Sequence, residues 1–333
     1  MLRWEIKKIL KDKSNIIPLV LMVILFLQIS FSAPILDTQN INWDSDKREY
    51  VTVTRNGDVI ANEKLKIKVD EVKSGANSSE IYNHISKEKL KLDAGDKYED
   101  IAFYQVFAHR ESNMISIIIM LIIILMIVPN LYTDEIVFDT VPIILSSKNK
   151  NKVLFSKLRV SILLPILLYG LYIAYVWIIT CMQYGHPING GLQAYRVCDI
   201  AFITKAVTIN QFVIYRIIVT GLILLGVSIA SMLSSFLSDN SLKSTVLSVG
   251  VVIIGKVLSM VKFLPGLMPI ILSKFNYIDV ALGTTGIGGV YNGELDILSK
   301  SLDASNLCIA VYVLIVVFGI LGCIYNIKKI AVK

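Results

Sequence analysis

From Ile117 to Val128 the chain runs through twelve successive residues without one polar side chain. A helix that is apolar on every side has no face to offer to water, so it belongs in a large protein core or in a membrane. The run extends from Met114 to Leu131, close to the ~20 residues needed to cross a hydrocarbon layer about 30 Å thick. Five further runs qualify: Ile16–Ala33, Val160–Tyr184, Phe212–Leu237, Thr245–Leu264 and Leu307–Tyr325. Backbone groups in lipid must be satisfied within their own segment, so each run is expected to be a helix. Charged residues make up 18% of the 333, against about 25% in soluble domains, and they cluster between the runs. The expected fold is an all-α polytopic membrane protein with about six transmembrane helices.

Lysine and arginine set the expected orientation. The N-terminus, the loop 132–159, the loop 238–243 and the C-terminal tail carry fourteen: Arg3, Lys7, Lys8, Lys11, Lys13, Lys148, Lys150, Lys152, Lys157, Arg159, Lys243, Lys328, Lys329 and Lys333. The short loops on the other side carry Arg196, Lys205, Lys274 and Lys300. Both termini are therefore expected in the cytoplasm, with the chain in the plasma membrane. The net charge of +7 is read as this bias and not as a nucleic-acid surface. Residues 1–33 form an interfacial helix and the first span. Residues 34–112 form an extracytoplasmic insert with 12 Lys and Arg against 15 Asp and Glu. Residues 113–333 hold five further spans, the cytoplasmic loop 132–159 and an outer, glycine-bearing re-entrant segment 265–306. The first run is read as a retained span, because its basic leader is long for a signal peptide and cleavage would leave an odd number of spans. In the insert, Tyr50–Thr54 alternates like a strand before the turn signal Asn56-Gly57, and Ile81–Leu92 has a helical pattern. Richness in Lys, Ile and Asn suggests a bacterium with an AT-rich genome.

Gly250 and Gly255-Lys256 match the start of a phosphate-binding loop, but Val257 stands where Ser or Thr must hold magnesium. The intervening residues 251–254 are all apolar. The motif is rejected. Lys256 itself falls near the middle of the fifth run, where a charge is costly. It either lines a translocation path or snorkels to an interface, and none of the six runs contains an acid to pair with it. Arg216 is expected to reach outward from the end of its run. His84, His109 and His186 are isolated, which leaves no metal or hydrolytic centre. Cys181, Cys198, Cys308 and Cys323 read first as small packing residues, with pairing of Cys181 and Cys198 left open. Gly226, Ala230 and Ser234 form a small-residue stripe suited to close helix packing.

Two stretches carry more. Leu2, Ile6, Ile9 and Leu10 share one helical face, away from Lys7, Lys8 and Lys11, as in a helix lying in the membrane interface. In the loop after the second run, Asp134 and Glu135 are expected to open a helix, since acids suit a helix N-terminus. Val137, Phe138, Val141, Ile144 and Leu145 follow at helical spacing, with Pro142 kinking or shortening the helix. Ser146-Ser147 and Lys148, Lys150 and Lys152 end it. Such an amphipathic helix either lies on lipid or docks a cytoplasmic partner.

In its order and spacing this layout resembles the permease subunit of ATP-binding-cassette (ABC) transporters of the type-2 exporter class. The matching positions are Glu135, Asp139-Thr140, Leu145-Ser146-Ser147, Lys148 and Lys157. The family often has Gly before the Thr of this loop, where this chain has Phe138-Asp139. The short outer helices before the last span have a counterpart in Leu267–Gly289. The resemblance implies that Asp134, Glu135, Phe138, Asp139, Thr140, Ile144, Leu145, Ser146 and Lys148 belong to a coupling helix gripped by a cytoplasmic ABC ATPase. It implies a second permease chain, surrounding membrane lipid, and no cofactor on this chain, with ATP and magnesium on the partner. The chain is then no enzyme itself but moves an amphiphilic, peptide-like or lipid-like substrate. The alternative is a membrane-anchored binding or immunity protein that captures an extracellular peptide or lipid on residues 34–112. A membrane-embedded enzyme lacks a catalytic group.

Overall fold

The computed structural model describes residues 2–11, 15–44, 49–52, 56–74, 97–197, 207–261, 276–282, 294–297 and 300–332. Within them the chain is mainly helical. Helices α1 (Leu2–Lys11) and α2 (Ile16–Phe31) meet at 86°. A two-stranded hairpin, β1 (Ile41–Asp44) with β2 (Glu49–Thr52), follows, then α3 (Gly57–Ser74). Tyr50 thus sits in a strand as read, but Gly57 starts a helix instead of turning a hairpin. Ile81–Leu92 lies outside the described residues.

Helices α4 (Ala102–Glu111), α5 (Met114–Ile127) and α6 (Asn130–Val137) stack end on end into one 36-residue helix, Ala102–Val137. At 1.5 Å per residue it is about 54 Å long, far more than a hydrocarbon layer needs. The second run therefore belongs to a rod that starts twelve residues earlier than its apolar stretch, and the end assigned to the insert (102–111) is part of it. Asn113 restarts the ladder by accepting from the Ser116 backbone N–H at 3.0 Å. After the short α7 (Val141–Ser146), α8 (Lys150–Tyr184) begins ten residues before its expected start. Then come α9 (Ile209–Leu237), α10 (Ser241–Ser259), α11 (Tyr277–Ala281), a second hairpin of β3 (Glu294–Ile297) and β4 (Lys300–Asp303), and α12 (Ala304–Val332).

Among the described residues, five helices are long and apolar enough to cross a membrane, and the bent pair α1–α2 makes six if counted as one. Their outward faces expose Val20, Leu27, Leu167, Val246 and Leu314, as suits helices in contact with lipid.

Helix α9 is the hub, packed on α8, α10 and α12. It meets α12 closely because Gly319 faces Ile229 and Gly322 faces Leu233. A Cβ on Gly319 would come within 2.6 Å of the Ile229 side chain. Serines bridge the helices in the way small polar residues do in apolar bundles. Ser228 Oγ donates to the Ser161 carbonyl at 2.6 Å, Ser244 Oγ to the Pro129 carbonyl at 2.9 Å, and Ser235 Oγ accepts from the Tyr132 N–H at 3.2 Å. The described part of the insert leans on one end of the bundle. Gln105 Nε2 donates to Asp37 at 2.5 Å, and Lys68 reaches the Arg196 carbonyl at 3.2 Å. Beside it, burial pushes the Tyr98 phenol up to about 12, so it stays neutral.

Candidate functional site

Asp134 and Glu135 do not open the loop helix. They close α6, and the loop helix α7 starts only at Val141. The reason is local. Asp139 has φ +53°, in the left-handed region that ends helices. The Thr140 N–H bonds the Glu135 carbonyl at 2.9 Å and the Asp139 N–H bonds that of Ile136 at 3.1 Å. These are the two reversed bonds of a Schellman turn. A short polar residue such as Asp tolerates this conformation better than others, though less well than Gly. Pro142 lies in the first turn of α7, where its missing N–H costs nothing, so it starts a helix and kinks none.

Glu135 is buried, 3% exposed. It accepts from Lys157 Nζ at 2.9 Å, from Lys8 Nζ at 2.7 Å and from the Thr140 hydroxyl. Lys157 is fully buried; it also reaches Glu5 Oε2 at 3.3 Å and the Leu131 carbonyl at 2.8 Å. Two lysines and two glutamates thus form a charge-balanced knot joining α1, α6 and α8. Breaking one member of such a buried set strands the others at a cost of about 3–5 kcal/mol. The face of α1 that meets the bundle is therefore centred on Glu5, with Leu2 and Ile9 packed beside it, while Ile6 stays exposed. Asp134 is held separately, accepting from the Ser241 hydroxyl at 3.3 Å.

What this frame presents outward is apolar. Val137, Phe138 and Ile143 are 57%, 67% and 70% exposed. Asp139, Ser146 and Lys148 stand exposed around them, while Ile144, Leu145 and Thr140 are half-buried. Sequence reasoning selected Phe138, Asp139, Ser146 and Lys148 among the outward residues. It missed Ile143, because a helix register counted from Asp134 turns that position inward and one counted from Val141 does not.

At the other end of α10, Lys256 has a partner. Its Nζ lies 2.7 and 2.8 Å from the two Asp279 carboxylate oxygens. Asp279 belongs to α11, outside every apolar run. Asn276 caps that helix and donates to Asp279 Oδ2 at 2.9 Å. Gly255 permits the approach, since a Cβ there would sit 2.9 Å from that of Asn276. Gly250 to Lys256 lie within α10. Gly226 faces the Tyr277 ring of α11, where an added Cβ would stand 3.1 Å from the hydroxyl. The Gly226–Ala230–Ser234 stripe is thus partly a seat for α11, and the tight α9–α12 contact uses glycines of α12.

Arg216 does not reach outward. Its Nε lies 3.2 Å from Glu111 Oε2, and Tyr169 donates to the same buried carboxylate at 3.0 Å. The neighbouring Arg110, 1% exposed, donates to the carbonyls of Ser32 and Ser30 and to Thr180 and Gln183. It clamps the C-terminal end of α2, where a cation is favoured. Cys181, Cys308 and Cys323 are free thiols, and Cys198 lies outside the described residues. So do most of 265–306, including Leu267–Leu272 and Gly283–Gly293. Among the described residues no three His, Cys, Asp or Glu side chains converge on a metal-sized site.

The sequence matches no protein-family model, no curated protein and no solved structure.

Proposed function

We propose that this chain is the membrane-spanning permease subunit of an ATP-driven exporter of the type-2 ABC class, worked by a separate ATPase. One observation carries the reading. An exposed apolar knuckle, Val137, Phe138 and Ile143, stands on a frame held by the Schellman turn at Asp139 and the buried ion knot around Glu135 and Lys157. Apolar and aromatic anchors seated in a pocket dominate most protein interfaces. A rigid frame behind them transmits a push to α1, α6 and α8 together. The unequal lysine and arginine distribution supports a cytoplasmic position for the knuckle, on the side read for both termini.

In this reading ATP and magnesium are bound by the motor subunit. Its closure drives the knuckle and tilts the rods as rigid bodies. A second permease chain completes the path, and the cargo is an amphiphile of peptide or lipid type. The Asp139 turn supports the resemblance at the one position where the sequence departs from it, because its positive φ is a conformation glycine would also take.

The test is co-purification. The wild-type chain extracted in mild detergent from its own host brings an ABC ATPase with it. The Phe138→Ala, Ile143→Asp double variant elutes as the same monodisperse species without it. Equal recovery of the ATPase with both, or no ATPase with either, removes the proposal and leaves the binding protein as the better reading.

A further inference from the structure

Between α1, α2, α5 and α8 lies an apolar groove of about 150 Å³. Leu10, Pro18, Met22, Ile127, Leu167 and Leu171 are among its walls, and Asn15 alone is polar. An apolar space of this volume takes a hydrocarbon about as large as benzene, hence a segment of an acyl chain. The groove lies in the angle of the bent pair α1–α2, where an interfacial helix meets a span. Leu10 and Leu167, both more than half exposed, stand on two of its walls, so it opens to the surroundings of the bundle.

Along α1, Arg3, Lys7 and Lys11 recur at four-residue spacing and all are exposed. Lys8 is different, being held by Glu135. Leu10, which lines the groove, lies next to Lys11 and one turn from Lys7. An apolar slot is thus set beside a row of cations, the two halves of an anionic amphiphile.

We propose that this groove holds a segment of one acyl chain of an anionic phospholipid of the surrounding bilayer, with its phosphate against Arg3, Lys7 and Lys11. A basic residue near a lipid surface contributes about 1 kcal/mol of attraction to anionic headgroups. The acyl chain supplies the contact that fixes position. This inference rests on the membrane-spanning reading of the bundle and on α1 lying in its interface. It does not need the motor subunit.

The test uses the full chain in mild detergent with phosphatidylglycerol carrying a diazirine in mid-chain, and phosphatidylcholine with the same chain. After irradiation and digestion, label is expected on the peptides holding Met22, Leu167 and Leu171, with phosphatidylglycerol favoured by about tenfold, equivalent to ~1.4 kcal/mol. Leu167→Trp, which fills the slot, is expected to cut this labelling about tenfold, while Leu314→Trp on the outer face of α12 leaves it unchanged. Arg3→Gln with Lys7→Gln and Lys11→Gln abolishes the headgroup preference and keeps the site. Mapping on the wild-type chain decides the matter even if a variant fails to fold. Label spread evenly over the outer faces of the bundle, or equal labelling by the two lipids, overturns the proposal. A motor subunit that fails to co-purify would leave these results standing, so the two readings fail separately.

Discussion

Lys157 Nζ lies 2.9 Å from Glu135 Oε1, both side chains shut away from solvent, and this pair ties the end of one long apolar helix to the start of the next. Lys8 and Glu5 bring the N-terminal helix to the same point. Replacing Lys157 by Met leaves two glutamates facing each other without their shared cation. The expected loss is about 3–5 kcal/mol, read as a lower midpoint of thermal unfolding in detergent. Adding Glu5→Gln to Lys157→Met is expected to restore part of it, since Glu5 loses its cation while Glu135 keeps Lys8. An unchanged midpoint in Lys157→Met would mean that the knot does not hold the helices.

The left-handed residue at the loop gives a sharper test of local geometry. Asp139→Gly removes the Cβ strain and is expected to leave stability unchanged or slightly raised. Asp139→Val puts a β-branched side chain at φ +53° and is expected to cost about 1–3 kcal/mol. Equal midpoints for the two variants would exclude a left-handed residue at this position.

For Lys256 the prediction concerns a pair. Lys256→Ala and Asp279→Ala each remove one side of the ion pair, and the double variant is expected to be less damaged than the sum of the two. A coupling of about 0.5–3 kcal/mol is the range for contacting residues. Additive effects would show that the two side chains do not meet.

Glycines divide by what stands opposite them. Gly319→Val forces atoms into Ile229 and is expected to destabilise by about 1–3 kcal/mol through overpacking. Gly250 faces nothing within 4 Å, so Gly250→Ala is expected to stabilise α10 by about 0.5–1 kcal/mol, as in any open helix interior. Thermal midpoints of the two variants check both signs.

The long apolar helices were legible because crossing a lipid layer would require length of apolar helix, and the sequence states that directly. Their ends were not. Helix ends are set by caps and by packing, so α8 runs back to Lys150 and the second rod back to Ala102. That extension carries Arg110 and Glu111 into the bundle, which hid the partner of Arg216. Asp279 was hidden for a similar reason, because a five-residue helix after a break leaves no periodic trace. The loop 132–159 was legible as an amphipathic feature but in the wrong register. A positive φ at a non-glycine residue is a property of the folded turn, and composition does not signal it. Once Asp139 ends α6, Glu135 turns inward to Lys157 and Ile143 turns outward.

The proposed function depends most on the knuckle being a handle for a motor protein. Its most direct measurement replaces Phe138 with photoreactive benzoylphenylalanine in the native host, irradiates intact cells and identifies the adduct by mass spectrometry. The predicted result is an adduct with a cytoplasmic ABC ATPase, absent when the same group stands at Leu314. Labelling of position 138 by lipid or by proteins outside the cell, with no ATPase adduct, would contradict it.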